Sequence, residues 1–204
     1  QVTNPPIDPF REKVVMSLQC PVGPEANILQ PSAKQVHRLW LKHPVLSISD
    51  LNVLKCTSHR GWTASVIDTT FPSSEGTGGL LPKLQEICEE ADKASQKNQI
   101  LILSDRRAGP DRISISSLLA LGAVHQHLIE MRSRKKVALI VESAEAREVH
   151  HICVLLGYGA DAICPYLALE LAATLRDQGI LDASFTNDVI FQNYAQAMNT
   201  GISK

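Results

Sequence analysis

The sequence is poor in the features that usually announce a function. Aromatic residues make up only 4% of it. Twenty basic side chains stand against 21 acidic ones, a formal net charge of -1. That balance gives no reason to expect a nucleic acid or an anionic membrane surface as partner. No apolar run approaches the ~20 residues a bilayer-spanning helix needs, and no signal peptide opens the chain. There is no CxxC pair. The five cysteines, Cys20, Cys56, Cys88, Cys153 and Cys164, are scattered and odd in number. They read as reduced thiols of a cytoplasmic or organellar (stroma or matrix) protein that is not secreted. Their spacing offers no iron–sulfur ligand set within the chain. The chain opens at Gln1 and stops at Lys204 in mid-pattern, as an excised piece of something larger would.

What the sequence does contain is a repeat. Val137 to Val141 is a short, partly β-branched apolar run, as expected of a strand buried on both faces of a parallel sheet. Ser143 follows as a helix cap, with Glu145 in the first turn. Val149, Ile152, Cys153 and Leu156 then share a helical face, and Gly157 is placed to end the helix in the left-handed conformation. A second strand is expected over Asp161–Cys164. This is a βαβ unit, with a right-handed crossover. Ala64–Asp68 and Ile100–Leu103 read as further strands. Helices are expected from Leu80 to Asn98, over Ile113–Met131, Ala168–Gln178 and Asn187–Thr200. The helix at Ile113–Met131 is apolar nearly all round, which predicts burial on more than one side.

The fold class is therefore α/β, with βα repeats on a mostly parallel sheet. Both a doubly wound sheet and a partial or reduced (β/α) barrel fit the four repeats. The first 63 residues look different. QVTNPPIDP holds three prolines in nine residues, which excludes a helix or a central strand and leaves a stiff extended arm. A short helix is expected over Phe10–Leu18 and another over Ala33–Lys42. Leu46, Ile48 and Leu51 alternate with polar residues, and Ser73–Gly79 reads as flexible loop. The division is an arm and irregular lead-in over 1–63 and an α/β domain over 64–204, forming one structural unit.

In such folds ligands gather beyond the carboxyl ends of the strands. Those ends carry Asp68, Asp105 with Arg106, Glu142 with Ser143, and Cys164 with Tyr166. Asp105, Arg106 and Glu142 could serve acid–base chemistry, but polar strand ends and helix caps are commoner. Gly157-x-Gly159 follows a helix rather than a strand and so is no dinucleotide loop. Gly76, Gly78 and Gly79 precede a helix without the lysine of a P-loop. His125 with His127, and His150 with His151, are spaced wrongly for a pair of ligands on one helix face. Cys153 reads as core. The residues alone thus describe a packed α/β module with no catalytic, cofactor or metal site of its own.

QVTNPPIDPFREKVVMSL closely resembles the opening of the central domain of glutamate synthases. HPVLSISDL, ILILSDR, SSLLALGAVHQHLI, ALIVESAEAREVHHICVLLGYGADAICPY and NYAQAMNTGISK extend the likeness, in order, over the whole chain. The resemblance implies a non-catalytic domain lying between a glutaminase domain and an FMN-binding synthase domain. The parent would make L-glutamate from L-glutamine and 2-oxoglutarate and would be an oxidoreductase acting on CH-NH2 donors, NAD(P)H-dependent on this reading, with a ferredoxin-dependent enzyme as the alternative. FMN and a 3Fe-4S cluster would sit elsewhere in it. The central domain would be a relative of the flavin barrel that has lost its cofactor. The same likeness puts Thr3, Asn4, Pro5, Pro6 and Asp8 beside an interdomain ammonia route, with Pro9 helping to stiffen its wall. Two other readings stand beside this one. A free-standing enzyme would use the strand-end residues Asp105, Arg106 and Glu142. A pure interaction module would expose an apolar patch on the arm and on Val189–Met198.

Overall fold

Short apolar runs build the sheet. The computed structural model describes residues 14–204 and, within them, every side chain but that of Lys34. In the lead-in, β1 (Cys20–Val22) pairs antiparallel with β2 (Leu39–Leu41), and α1 (Ile48–Lys55) follows. The main part runs β3 (Ala64–Asp68), β4 (Thr70–Pro72), α2 (Leu80–Ser95), β5 (Ile100–Ser104), β6 (Arg112–Ser114), α3 (Ser117–Glu130), β7 (Ala138–Glu142), α4 (Val149–Gly157), β8 (Ala162–Cys164), α5 (Tyr166–Asp177) and α6 (Asn187–Ile202). Strands β3, β5, β7 and β8 form one parallel sheet in chain order. β4 and β6 make a separate antiparallel pair.

Two features decide between the architectures open to the sequence. The strand order never reverses, so there is no switch point of the doubly wound kind. The helices α2, α3 and α4 also pack on one face. Ile87, Leu121, Val124 and Ile152 meet Leu101, Leu103, Leu139, Val141 and Ile163 there. This is the arrangement of a barrel segment, left open: among the described residues the sheet does not close.

In a closed barrel the other face would be the interior. Here Ile100, Ile102, Ala138, Ile140, Ala162 and Cys164 point to it, as the two-residue period of a strand requires. The lead-in covers them. Val22, Leu46 and Leu51 pack directly onto that row, with Leu39, Leu41, Leu54 and Trp62 around them. Leu51 is fully buried, and burying such a side chain stabilises by about 2 kcal/mol. Val45 makes a parallel bridge to Ile163 beyond the β8 edge, with the Leu46 N–H donating to the Ile163 carbonyl at 2.8 Å. The chain then recrosses the whole face through α1 to reach β3 at the opposite edge. An edge strand that would otherwise offer unpaired backbone groups is thereby partly capped.

Several expected elements take another form. Leu39–Leu41 is a strand, and only Ala33–Val36 of the expected helix is helical, as a 3-10 turn. The alternation at Leu46–Leu51 is broken by α1, which starts at Ser47 in a capping box: Ser47 Oγ accepts from the Asp50 N–H at 3.0 Å, and the Ser47 N–H donates to the Asp50 carboxylate. Ser73–Gly79 forms 3-10 turns. The long helix begins at Ser117 because Arg112–Ser114 pairs with β4. It is buried on one side only, with Leu119 and Ile129 exposed. α4 starts at Val149, not at Ser143. Its left-handed residue is Gly159 (φ 107°), not Gly157, and Leu155 is buried in place of Cys153, which is half-buried. The Phe10–Leu18 helix lies partly outside the described residues, and Met16–Gln19 has no regular structure.

Candidate functional site at the carboxyl end of the sheet

The parallel register lines up the strand ends. Asp68 sits opposite Ser104, Ser104 opposite Glu142, and Glu142 opposite Cys164. Ser104, Glu142 and Cys164 continue the rows that face the lead-in, so a polar row closes an apolar layer. Glu142 is 2% exposed. A carboxylate so deep needs partners, and the lead-in supplies one. Lys55, the last residue of α1, places Nζ 2.8 Å from both Glu142 oxygens. Ser104 Oγ donates to Oε2 at 2.6 Å. The Cys164 thiol is buried behind this pair. Burial, with the Glu142 charge adding to it, pushes its pKa up to about 12. It is inert core, not a nucleophile.

Asp105 lies one residue beyond the row and is 1% exposed. Both its oxygens accept from the Ala144 N–H, at 3.1 and 2.9 Å. Burial raises its pKa; the Ala144 N–H and the Tyr166 hydroxyl oppose the rise, and the charges of Glu145 and Glu142 add to it. Burial raises Tyr166 too, with the Asp105 charge beside it. Arg106 stacks its guanidinium 4.3 Å over the Tyr166 ring and pairs with Glu170. At the β3 end, burial would raise Asp68. The Thr70 hydroxyl and N–H, then Arg112 and Arg107, outweigh it and hold the carboxyl below its usual range.

The structure therefore brings Asp105 and Glu142 together, with the Asp105 N–H donating to the Glu142 carbonyl, but turns each side chain to a different internal partner. Arg106 is directed to Tyr166 and Glu170 instead. Lys55 and Ser104 were missed by sequence reasoning. Lys55 belongs to a helix whose capping box, Ser47-x-x-Asp50, is visible in the sequence, but nothing local shows that the helix end lies over β7.

An open cleft of about 360 Å3 adjoins this edge, lined by Ser116, Ser117, Ser143, Glu145, Arg147 and His150 among others. It holds the N-terminus of α3, where backbone N–H groups and the helix dipole favour an anion. The chain's own Glu145 is there already: its Oε2 accepts from the Ser117 N–H at 2.8 Å and from the Ser116 hydroxyl at 3.2 Å. Ser143 Oγ accepts from the N–H groups of Glu145 and Ala146 and shares a 2.7 Å hydrogen bond with Ser117. It caps a tight turn. A flavin phosphate does not fit this helix end, because a carboxylate fills it and would repel the phosphate. Among the described residues no group of three or more His, Cys, Asp or Glu side chains is arranged to hold a metal ion. His125 lies in the sheet's opposite end, accepting from Arg134 Nε at Nδ1. Thr3, Asn4, Pro5, Pro6 and Asp8 lie outside the described residues.

Comparison with known proteins gives the lineage. The family model described as the glutamate synthase central domain matches residues 1–204. The NADH glutamate synthase of Schizosaccharomyces pombe is 44% identical over 207 residues, covering all of this chain and 10% of that protein. The large chain of the NADPH glutamate synthase of Bacillus subtilis is 42% identical, again over all of this chain and 13% of that protein. Ferredoxin-dependent glutamate synthase 1 of Arabidopsis thaliana is 39% identical over the whole chain and 13% of its own length. The chain thus spans about a tenth of the length of these relatives.

Proposed function

The chain belongs to the glutamate synthase central-domain family, and from that premise we propose that it is a non-catalytic structural and ammonia-channelling module. It joins a glutaminase domain to an FMN-binding synthase domain in an enzyme that makes L-glutamate from L-glutamine and 2-oxoglutarate. The observation that carries the reading is the self-satisfied carboxyl end of the sheet. Glu142 is committed to Lys55 and Ser104, Asp105 to the Ala144 N–H, and Glu145 to the start of α3. Each of these three acids, which could bind a ligand in a working barrel, has an internal partner instead. The lead-in over 1–63 and the α/β domain over 64–204 act as one unit, since Lys55 and Leu51 of the first are anchored in the second.

FMN and the 3Fe-4S cluster belong to the rest of the parent. The electron donor is a pyridine nucleotide. This is supported by the relatives at 44% and 42% identity, which carry NADH and NADPH in their names, against 39% for the ferredoxin-dependent one. The parent works in the cytoplasm or an organelle, in keeping with five free cysteines. Thr3, Asn4, Pro5, Pro6 and Asp8 form part of the ammonia route wall. Thr3→Val in the full-length enzyme then leaves glutaminase activity intact and lowers the glutamate made per glutamine consumed. Unchanged stoichiometry removes Thr3 from the route.

The central test is fluorescence titration of the 204-residue chain with FMN. No saturable binding is expected. Saturable micromolar binding overturns the reading, because it requires a phosphate or flavin pocket that Glu145 and the Lys55–Glu142 pair leave no room for.

A further inference from the structure

The large apolar side chains left most exposed are concentrated in the lead-in. Val14, Ile28, Leu29, Val36, Trp40 and Val53 are all more than 60% exposed, and after residue 53 only Leu81 and Ile180 match them. The terminal helix does not carry the patch that a pure interaction module would place there. Phe191, Tyr194, Met198 and Ile202 of α6 pack onto the core.

Trp40 and Val53 lie close together on the lead-in's exposed surface. Trp40 is the outward residue of β2, between Leu39 and Leu41, which face the sheet. Val53 stands on α1, next to Leu54, which packs inward. A groove runs on each side of the pair, one of about 390 Å3 and one of about 470 Å3, and both are lined by Trp40 and Val53. The first groove also holds Arg38, which pairs with Glu25, and each groove holds one further cation, Arg60 in the first and Lys42 in the second. Neither cation pairs with an acid among the described residues. Asp50 is the single acid lining either groove, and it is held in the Ser47 capping box.

An exposed tryptophan between two grooves, flanked by free cations, is how a protein–protein anchor looks: a large amphipathic ring at the centre and charge at the rim. We infer that Trp40 and Val53 dock the chain onto another domain of its own longer polypeptide. That surface offers an apolar socket for the indole and acidic side chains facing Lys42 and Arg60. The occupant follows from chain length and charge. The relatives run to about eight to ten times the length of this chain, so a covalently tethered surface is present at high effective concentration. A second copy of this chain would present the same unpaired cations to each other. The inference rests on the reading of the chain as a linking module, and it names the surface through which one link is made.

Hydroxyl-radical footprinting of the full-length protein tests it, read by mass spectrometry at Trp40. Trp40 is expected to oxidise several-fold more slowly in the native protein than in the same protein unfolded in urea, at every protein concentration. Trp40 reacting as fast native as unfolded overturns the inference. Protection that disappears on dilution also overturns it, since a second copy is then the cover. Zero-length carbodiimide coupling of the full-length protein is expected to join the Lys42 amine to an Asp or Glu outside residues 1–204. Coupling confined to acids within 1–204 refutes the acidic rim. Neither measurement depends on flavin binding or glutamate yield, so the linking role and this surface fail separately.

Discussion

Removing the positive charge of Lys55 should destabilise the fold far more than removing an ordinary surface lysine. In Lys55→Met the stem's packing is largely kept and the ammonium is lost. Glu142 then stays 2% exposed with Ser104 as its remaining side-chain donor. At the 2.8 Å separation, an effective dielectric constant of ~20 gives a gross attraction of about 6 kcal/mol. Desolvation of both ions offsets part of that, and Lys55 keeps 24% of its side chain in solvent. Breaking a buried pair from one side costs roughly 3–5 kcal/mol, and the lower end applies to a partner so placed. With a urea m-value of about 2 kcal/mol/M, the unfolding midpoint should fall by about 1.5 M. The double variant Lys55→Met with Glu142→Met should recover most of the loss, because no unpaired charge is left in the layer. The assay is urea unfolding followed by circular dichroism. A single variant within about 1 kcal/mol of the wild type would show that the pair behaves as a surface contact. A double variant as unstable as the single one would refute the desolvation reasoning.

Two further outcomes are expected. At Gly159, φ is 107° and an added Cβ would lie 2.2 Å from His125 Nδ1; Gly159→Ala should therefore cost about 2–3 kcal/mol in strain and displaced packing, read as a lower thermal midpoint, and a neutral effect would mean that the His125–Arg134 contact yields freely. The pKa of Asp105 is raised in the fold, so its stabilising share is complete below its unfolded value near pH 4 and is lost as pH rises through the folded value. Asp105→Asn should flatten that part of the stability–pH profile, and an unchanged slope would assign it to another group.

The main sheet was legible because three of its four strands, β5, β7 and β8, are buried on both faces. Ile100–Leu103 and Val137–Val141 read as continuous apolar runs, and the 14-residue helix α3 lies between them. The lead-in was not legible, for a physical reason. Leu39–Trp40–Leu41 is too short to show a period, and its identity as a strand comes from Cys20–Val22 across a loop. Helix boundaries failed where long-range contacts decide them: Ile113 is claimed by Phe71 in a strand pair, and Ser143 is drawn into a turn with Ser117 and Glu145. At the candidate site the sequence marks Asp105 and Glu142 as strand-end acids. It does not mark their partners, since Lys55 is 87 residues from Glu142.

The same geometry explains why an open barrel segment can stand as a fold and why its strand-end carboxylates are paired internally. Four parallel strands leave one face without helices, and that face must be covered for the sheet to be stable in water. A closed barrel covers it with its own opposite strands and keeps the carboxyl-end rim free for loops and ligands. Here α1 runs across the face from Val45 at the β8 edge to β3 at the other, and its C-terminal end arrives at the carboxyl rim. Its last residue, Lys55, must then meet whatever the rim carries, and it meets Glu142. The cover and the neutralised rim are thus one structural choice: burying Leu51 and Leu54 against Ile102 and Ile140 places Lys55 on Glu142. The outer side of that same cover carries Trp40 and Val53. One layer thus does two things: it closes the inward face of the sheet with Leu51 and Leu54, and it leaves Trp40 and Val53 exposed on the outward one.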